Sequence, residues 1–309
     1  MQNRTSKQGS VVLMALLLTA LFGCNNQTSS QAQQSSTPAP SANQLKVVTT
    51  FLPMYWFTKA VTGDTAQVEI LIPPGTEVHD YQATPANAQA IANADILVKN
   101  GIGFEEFLEG TVANAKNSQL KEIDASAGIK PLDNATPDEH TEGNPHVWLD
   151  PVLAKQQVAN IRDGLIAANP ENKATFQANA TAYMQKLEAL DKEFQQSLQK
   201  YPNCTFVTFH DAYPYLANRY QIKQVAVVEI PEDQLSPKDV QKAINAVKKY
   251  NVKALFGEPG TDNKLLNALS KDLNLTLQPL DSLESGDLDP QHYFTAMRAN
   301  LQSLESACK

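Results

Sequence analysis

Asn169-Pro-Glu-Asn-Lys-Ala-Thr-Phe-Gln-Ala-Asn-Ala-Thr-Ala-Tyr-Met-Gln-Lys-Leu-Glu-Ala-Leu-Asp-Lys-Glu-Phe-Gln-Gln-Ser-Leu-Gln-Lys-Tyr-Pro202 is the most regular stretch of the sequence. Asn169 has the side chain of a helix N-cap, and proline suits the first helical position that follows it. Phe176, Ala180, Tyr183, Leu187, Leu190 and Phe194 then recur at alternating spacings of four and three, which makes one continuous apolar stripe. The spacing predicts a helix of roughly 30 residues, about 45 Å long at 1.5 Å per residue. The stripe spans only about four heptads and has a different pattern on either side, which argues against a free-standing coiled coil.

That different pattern is β-rich. Leu45-Lys-Val-Val-Thr-Thr50, Val68-Glu-Ile-Leu-Ile72 and Ala94-Asp-Ile-Leu-Val98 read as buried strands before the helix, with amphipathic segments between them. After it come Thr205-Phe-Val-Thr-Phe209, Gln224-Val-Ala-Val-Val228, Ala254-Leu-Phe256 and Thr276-Leu-Gln-Pro-Leu280. Strand and helix alternating in both halves predict two α/β domains with mostly parallel sheets, over 45–168 and 203–309, bridged by a linking helix over 169–202. A helix of that length can brace both domains, which a flexible hinge cannot.

The chain has 309 residues, enough for two domains with real cores. Its 25 Lys and Arg against 33 Asp and Glu leave a net negative charge that repels phosphate backbones, so no nucleic-acid partner is expected. Arg4 and Lys7 precede the apolar run Val11–Leu21, which is long enough for the core of a signal peptide and short for a membrane span. The run ends in Leu21-Phe-Gly-Cys24, which resembles the lipobox of bacterial lipoproteins, in which Cys24 is acylated and becomes the mature N-terminus. Phe22 departs from the small residue usual there, and an ordinary cleaved signal peptide is the alternative. Residues 25–44 carry no charge and little apolar surface, the composition of a disordered tether. Cys204 and Cys308 remain in an oxidising compartment where a disulfide persists; two buried thiols are the other reading.

Of the five histidines, three stand where a strand ends or a loop begins. His79 lies in Pro73-Pro-Gly-Thr-Glu-Val-His-Asp80 beyond the strand ending at Ile72, His146 in Asn144-Pro-His-Val-Trp-Leu-Asp-Pro151 ahead of a helix, and His210 directly after Phe209. Ligands of open α/β sheets bind beyond the carboxyl ends of strands, so these three can converge on one point. Neutral imidazole is the commonest zinc ligand, and zinc favours four ligands in a tetrahedron. Asp281, at the end of the last strand, supplies a carboxylate as the fourth. Glu258 in Phe256-Gly-Glu-Pro-Gly260 also ends a strand, and either accepts the remaining N–H of a ligating imidazole or serves its own turn. His140 belongs to an acidic loop, His292 to surface or packing, and Phe51, Tyr55, Trp56 and Trp148 to core or cleft wall.

These contexts resemble the ZnuA-like zinc- and manganese-specific solute-binding subunits of bacterial ABC importers. The resemblance rests on Pro74 to His79, Lys99-Asn-Gly101, Asn144 to Pro151, Phe209-His-Asp-Ala-Tyr213, Glu258-Pro259 and Leu280-Asp281, and it runs from Leu45 to the C-terminus. It implies two α/β lobes joined by one rigid helix, with a metal in the cleft between them, and it places the ligands on His79, His146, His210 and Asp281. Manganese-type relatives carry a carboxylate at the third position and zinc-type relatives a histidine, so His210 favours Zn2+ over Mn2+. Many zinc-type members insert a long His-rich loop before the second ligand; the corresponding stretch here, residues 133–143, has only His140. The implied partners are an importer permease and its ATPase, with the binding protein a lipid-anchored monomer on the periplasmic side of the membrane. A manganese- or iron-binding subunit of the same importer class, or a metal-stabilised surface adhesin, is the alternative role.

An enzyme is the rival class. Four protein ligands would close a zinc site that hydrolysis needs open, and HExxH, GxSxG and Walker motifs are absent from the sequence. Gly101-Ile-Gly103 follows a strand, but Glu105 and Glu106 beside it would repel a pyrophosphate.

Overall fold

A computed structural model describes residues 44–133, 143–228, 236–260 and 264–309. Its first lobe contains β1 (Leu45–Thr49), α1 (Leu52–Thr62), β2 (Ala66–Ile70), α2 (Pro85–Ala92), β3 (Ile96–Lys99), α3 (Leu108–Ala115) and β4 (Lys121–Asp124). Then come α4 (Pro151–Ala168) and α5 (Lys173–Leu198). The second lobe holds β5 (Thr205–Thr208), α6 (Pro214–Arg219), β6 (Lys223–Ala226), α7 (Pro237–Tyr250), β7 (Ala254–Gly257), α8 (Lys264–Asp272), β8 (Thr276–Pro279) and α9 (His292–Cys308). Both sheets are wholly parallel and share one plan, with strand orders β2-β1-β3-β4 and β6-β5-β7-β8. In each, the connections reverse direction between the two central strands, and the crevice beyond their carboxyl ends is the natural ligand position.

The seven expected strands form, each with its ends moved by one or two residues. The eighth, β4, escapes the sequence reading because Lys121-Glu-Ile-Asp124 is an edge strand with one buried residue and no apolar run. Its one buried side chain explains a glycine in α4: a Cβ on Gly164 would stand 2.6 Å from Cδ1 of Ile123, so helix and strand pack closer there than any other residue allows.

The linking helix is shorter than its stripe suggests. Asn169 accepts from the backbone N–H of Asn172, and Pro170–Asn172 form a single 3₁₀ turn before α5 begins. The 26 residues of α5 then run about 39 Å. Phe176, Ala180, Tyr183, Leu187, Leu190, Phe194 and Leu198 are all buried along it. That face touches both lobes. Tyr183 packs edge-on against Phe57 of α1, with ring centroids 6.0 Å apart, and against Phe294 of α9 at 4.9 Å. Asn179 donates to the carbonyl of Val61 at 3.0 Å, and Glu193 is bridged by both nitrogens of the Arg298 fork at 2.8 and 2.9 Å. One continuous apolar core accordingly runs from Val47 in the first lobe through α5 to Leu304 in the second.

A disulfide joins Cys204, just before β5, to Cys308 at the end of α9, with Cα atoms 5.6 Å apart and a sequence separation of 104. In the chain-entropy account a loop of that size restricts the unfolded state by roughly 4–5 kcal/mol. Cys24 and His140 lie outside the described residues.

Leu187→Ala removes the centre of the shared stripe and is expected to cost about 2–5 kcal/mol. The neighbouring exposed Gln185→Ala should change stability by no more than about 0.5 kcal/mol. Urea unfolding of the two variants checks this, and equal midpoints would contradict the bracing role of α5.

Candidate metal centre

The four segments that reach the cleft leave strand ends or precede a helix. His79 is on the loop after β2, His146 on the turn before α4, His210 two residues after β5, and Glu284 on the loop between β8 and α9. One ligand atom from each, three imidazole nitrogens and one carboxylate oxygen, all lie within 4.8 Å of one another. Oε1 of Glu284 is 3.3 Å from Nε2 of His79 and 3.2 Å from Nε2 of His146. Donor atoms set 2.0–2.1 Å from a zinc ion at the corners of a tetrahedron are about 3.3 Å apart. Two edges of such a tetrahedron are therefore already at their length.

Neighbouring side chains fix how these groups face. His146 Nδ1 lies 3.0 Å from Oδ1 of Asn144, which can only accept, so that nitrogen carries the proton and Nε2 keeps its lone pair for the cluster. His210 Nδ1 stands 2.5 Å from Oε1 of Glu258, whose other oxygen accepts from the hydroxyl of Ser282 at 2.5 Å. Glu258 thus occupies the place that orients a ligating imidazole. Phe104, Phe51 and Trp148 form an aromatic wall: Phe104 meets the His79 ring at 5.5 Å and Trp148 meets the His146 ring at 5.1 Å. Phe104 carries no sequence signal that sets it apart from other core aromatics.

The electrostatics follow from burial. Exclusion of water pushes His146 down to about 3 against the pull of Glu284, with His210 and His79 adding to the fall, so the ring is neutral. Burial pushes Glu284 up, but the charge of His79 and the hydrogen bonds of His146 and His79 outweigh it and hold the carboxyl well below its usual range. Burial and then the neighbouring Glu284 charge raise Glu258 to about 8, while the Ser282 hydroxyl pulls the other way. A divalent cation beside His210 would favour the ionised form of both carboxyls.

Asp281, expected as the fourth ligand, is not in the group; Glu284 stands in its place. Oδ1 of Asp281 instead accepts from the backbone N–H of Leu283 at 2.8 Å, a local turn that uses up the short side chain. The turn puts buried Leu283 in the left-handed region at φ 65°, and the next residue, Glu284, is thereby aimed into the cleft. Asn300 of α9 grips the same turn, accepting from Asp281 N–H and donating to Asp281 C=O, each at 2.8 Å. Burial lifts Asp281 to about 6, partly offset by the Leu283 N–H. That turn is a contact of the folded chain, and Leu280-Asp-Ser-Leu-Glu284 as a sequence does not distinguish the two acids. His292 is remote from the cluster's chemistry: it stacks on Trp56 at 5.3 Å and faces Asp287 at 3.3 Å.

A cation among these four groups would bond to residues of both lobes at once, which is the way a solute-binding protein grips its solute. The chain belongs to the family described as zinc-uptake complex component A, periplasmic, whose profile matches residues 47–307. Similar relatives include the zinc-binding lipoprotein AdcA of Streptococcus pneumoniae, 34% identical over 314 residues that take in 97% of this chain and 60% of that protein. The high-affinity zinc uptake system protein ZnuA of Bacillus subtilis is 32% identical over 96% of each chain. This chain therefore spans about three fifths of the pneumococcal protein and nearly all of the Bacillus one. Among solved structures, a mutant laminin-binding adhesin, Lmb, of Streptococcus agalactiae superposes with TM-score 0.79 at 32% identity, covering 86% of this chain and 100% of that one. Zn(II)-bound AdcA from S. pneumoniae gives TM-score 0.75 at 36% identity, over 85% of this chain and 57% of that one.

Glu284→Gln is expected to weaken zinc binding by on the order of 100-fold. Asp281→Asn, which keeps the turn's acceptor, should weaken it by less than about 10-fold. Chelator competition measures both, and the opposite order would return the fourth ligand to Asp281.

Proposed function

We propose that this protein captures one Zn2+ outside the cytoplasm and delivers it, as a monomer, to the permease of an ABC importer and through it to that importer's ATPase. The observation that carries the reading is the cluster itself: three imidazoles and one carboxylate from both lobes, largely shielded from water, with one ligand atom of each within 4.8 Å of the others. The ligands proposed are His79, His146, His210 and Glu284, with Glu258 orienting His210. Four protein ligands complete the tetrahedron and leave no position for a reacting water, which favours binding over hydrolysis. The set of three nitrogens and one oxygen suits zinc better than manganese, which prefers oxygen and six-fold coordination.

Anchoring by lipid on Cys24, with residues 25–44 as a tether, completes the proposal; no described helix is long and apolar enough to cross a membrane. Relatives named as zinc-binding lipoproteins support this placement. A second reading, surface adhesion, is favoured by the likeness to a Streptococcus agalactiae laminin-binding protein described as having adhesin and metal transporting activity. Loss of the gene separates the two. Impaired growth and zinc uptake under chelation support the importer subunit, and unchanged uptake supports adhesion.

Protein purified without added metal is expected to hold one zinc per chain, and His79→Ala or His146→Ala should lose it on dialysis. Elemental analysis reads the result, and full retention in both variants would end the proposal. Zinc should also be released as pH falls, because protons compete for imidazole lone pairs and the metal binds only the deprotonated ring. His210→Asp exchanges a nitrogen for an oxygen, so zinc and manganese competition should shift toward manganese; unchanged selectivity would remove His210 from the ligands.

A further inference from the structure

Asn144 lies where the lobes meet, only 2% exposed, and both ends of its side chain are engaged. Oδ1 accepts from the backbone N–H of His146 at 3.1 Å and faces Nδ1 of the same ring at 3.0 Å. Nδ2 donates to the carbonyl of Asp211 at 2.7 Å, and Asp211 directly follows His210 on the other lobe. The backbone is held as firmly. Its N–H donates to Leu132 C=O at 2.8 Å, and its carbonyl accepts from the Tyr215 hydroxyl at 2.6 Å.

The direction of the amide follows from its neighbours. The backbone N–H of His146 faces Oδ1 and the carbonyl of Asp211 faces Nδ2, so turning the amide end for end would set donor against donor and acceptor against acceptor. One of those constraints comes from each lobe. If the amide turned, Nδ2 would face His146 Nδ1, the proton would move to Nε2, and that nitrogen would have no lone pair for a cation.

We propose that Asn144 is a positioning residue for metal capture: one amide that sets the tautomer and aim of His146 and ties it to the strand end bearing His210. The inference rests on the metal-binding reading above and adds to it a residue that touches no metal. Through it, contact between the lobes at Asp211 reinforces the aim of a ligand on the first lobe.

Two substitutions in the full chain separate the two roles. Asn144→Asp keeps the acceptor for His146 and loses the donor to Asp211; Asn144→Ala loses both. Zinc affinity by chelator competition should fall about 10–100-fold in Asn144→Ala and less in Asn144→Asp. Cobalt, substituted for zinc, should give the parent's visible spectrum in Asn144→Asp, since His146 is still aimed, and an altered one in Asn144→Ala. Both variants should release zinc faster than the parent. Parental affinity and spectrum in Asn144→Ala would overturn the proposal. So would equal losses in both variants matched by equal falls in metal-free melting temperature, which would assign Asn144 to lobe packing. Failure of the metal reading looks different, because the unsubstituted chain would then bind neither zinc nor cobalt.

Discussion

Three imidazole nitrogens and a carboxylate oxygen are held facing one another in a space that admits little water. Contacts of His79 and His146 with Glu284 hold the group together, and a single small cation among the four donor atoms would replace those contacts with bonds. The rest of the molecule can be understood as what is needed to impose that arrangement. Each donor comes from a different segment, so no local stretch of chain could assemble the set. Two sheets, a brace and a ring of orienting hydrogen bonds are required to bring four distant points of the sequence together. The hydrogen bonds are where the accuracy lies: Asn144, Glu258, Asp281 and Asn300 each hold a group that the cation would touch, or the turn that presents it.

The two lobes use the same strand order to different ends. In the second, the crevice between β5 and β7 is where His210 and Glu258 meet, so the position at which parallel sheets generally receive ligands serves the cluster. In the first, the matching crevice between β1 and β3 is filled from within. Glu105 accepts from Thr50 Oγ1 at 2.7 Å, Asn100 N at 2.6 Å and Gly101 N at 3.1 Å. A protein carboxylate thus occupies the spot where a nucleotide phosphate would sit in other α/β folds. Burial lifts that carboxyl to about 7 even with the three donors pulling it down, so keeping it there has an electrostatic cost that they offset only in part. The glutamate that the sequence showed as an obstacle to a pyrophosphate is its built-in substitute.

Much of this was legible in the sequence because the signals were periodic or rare. The stripe from Phe176 to Phe194 has a single helical face, and apolar runs such as Ile96-Leu-Val98 suit only buried strands. Three histidines among five, each at a strand end or before a helix, stood out because histidine is sparse here. What was not legible depended on geometry within a few residues. Asp281 and Glu284 are both acidic and both follow β8, and only the turn closed by Asp281 decides which of them reaches the cleft. In the same way β4 is held by pairing with β3 and by Ile123 against Gly164, neither of which leaves a pattern in Lys121-Glu-Ile-Asp124.

The longest helix acts as an axle, and an axle sets limits on travel. Because α5 is packed along its buried face and shared by both lobes, it offers no soft point about which one lobe could swing wide of the other. Any motion between the lobes would then be rocking of two stiff bodies on a common shaft. For a cation held by bonds of about 2 Å, little more is needed. A tilt that moves one lobe's donors outward by about 1 Å takes His210 and Glu284 beyond bonding reach and leaves two imidazoles to hold the ion alone. Small strokes would therefore suffice to separate a tight grip from a loose one, and such a molecule could surrender its cargo while scarcely changing its outline.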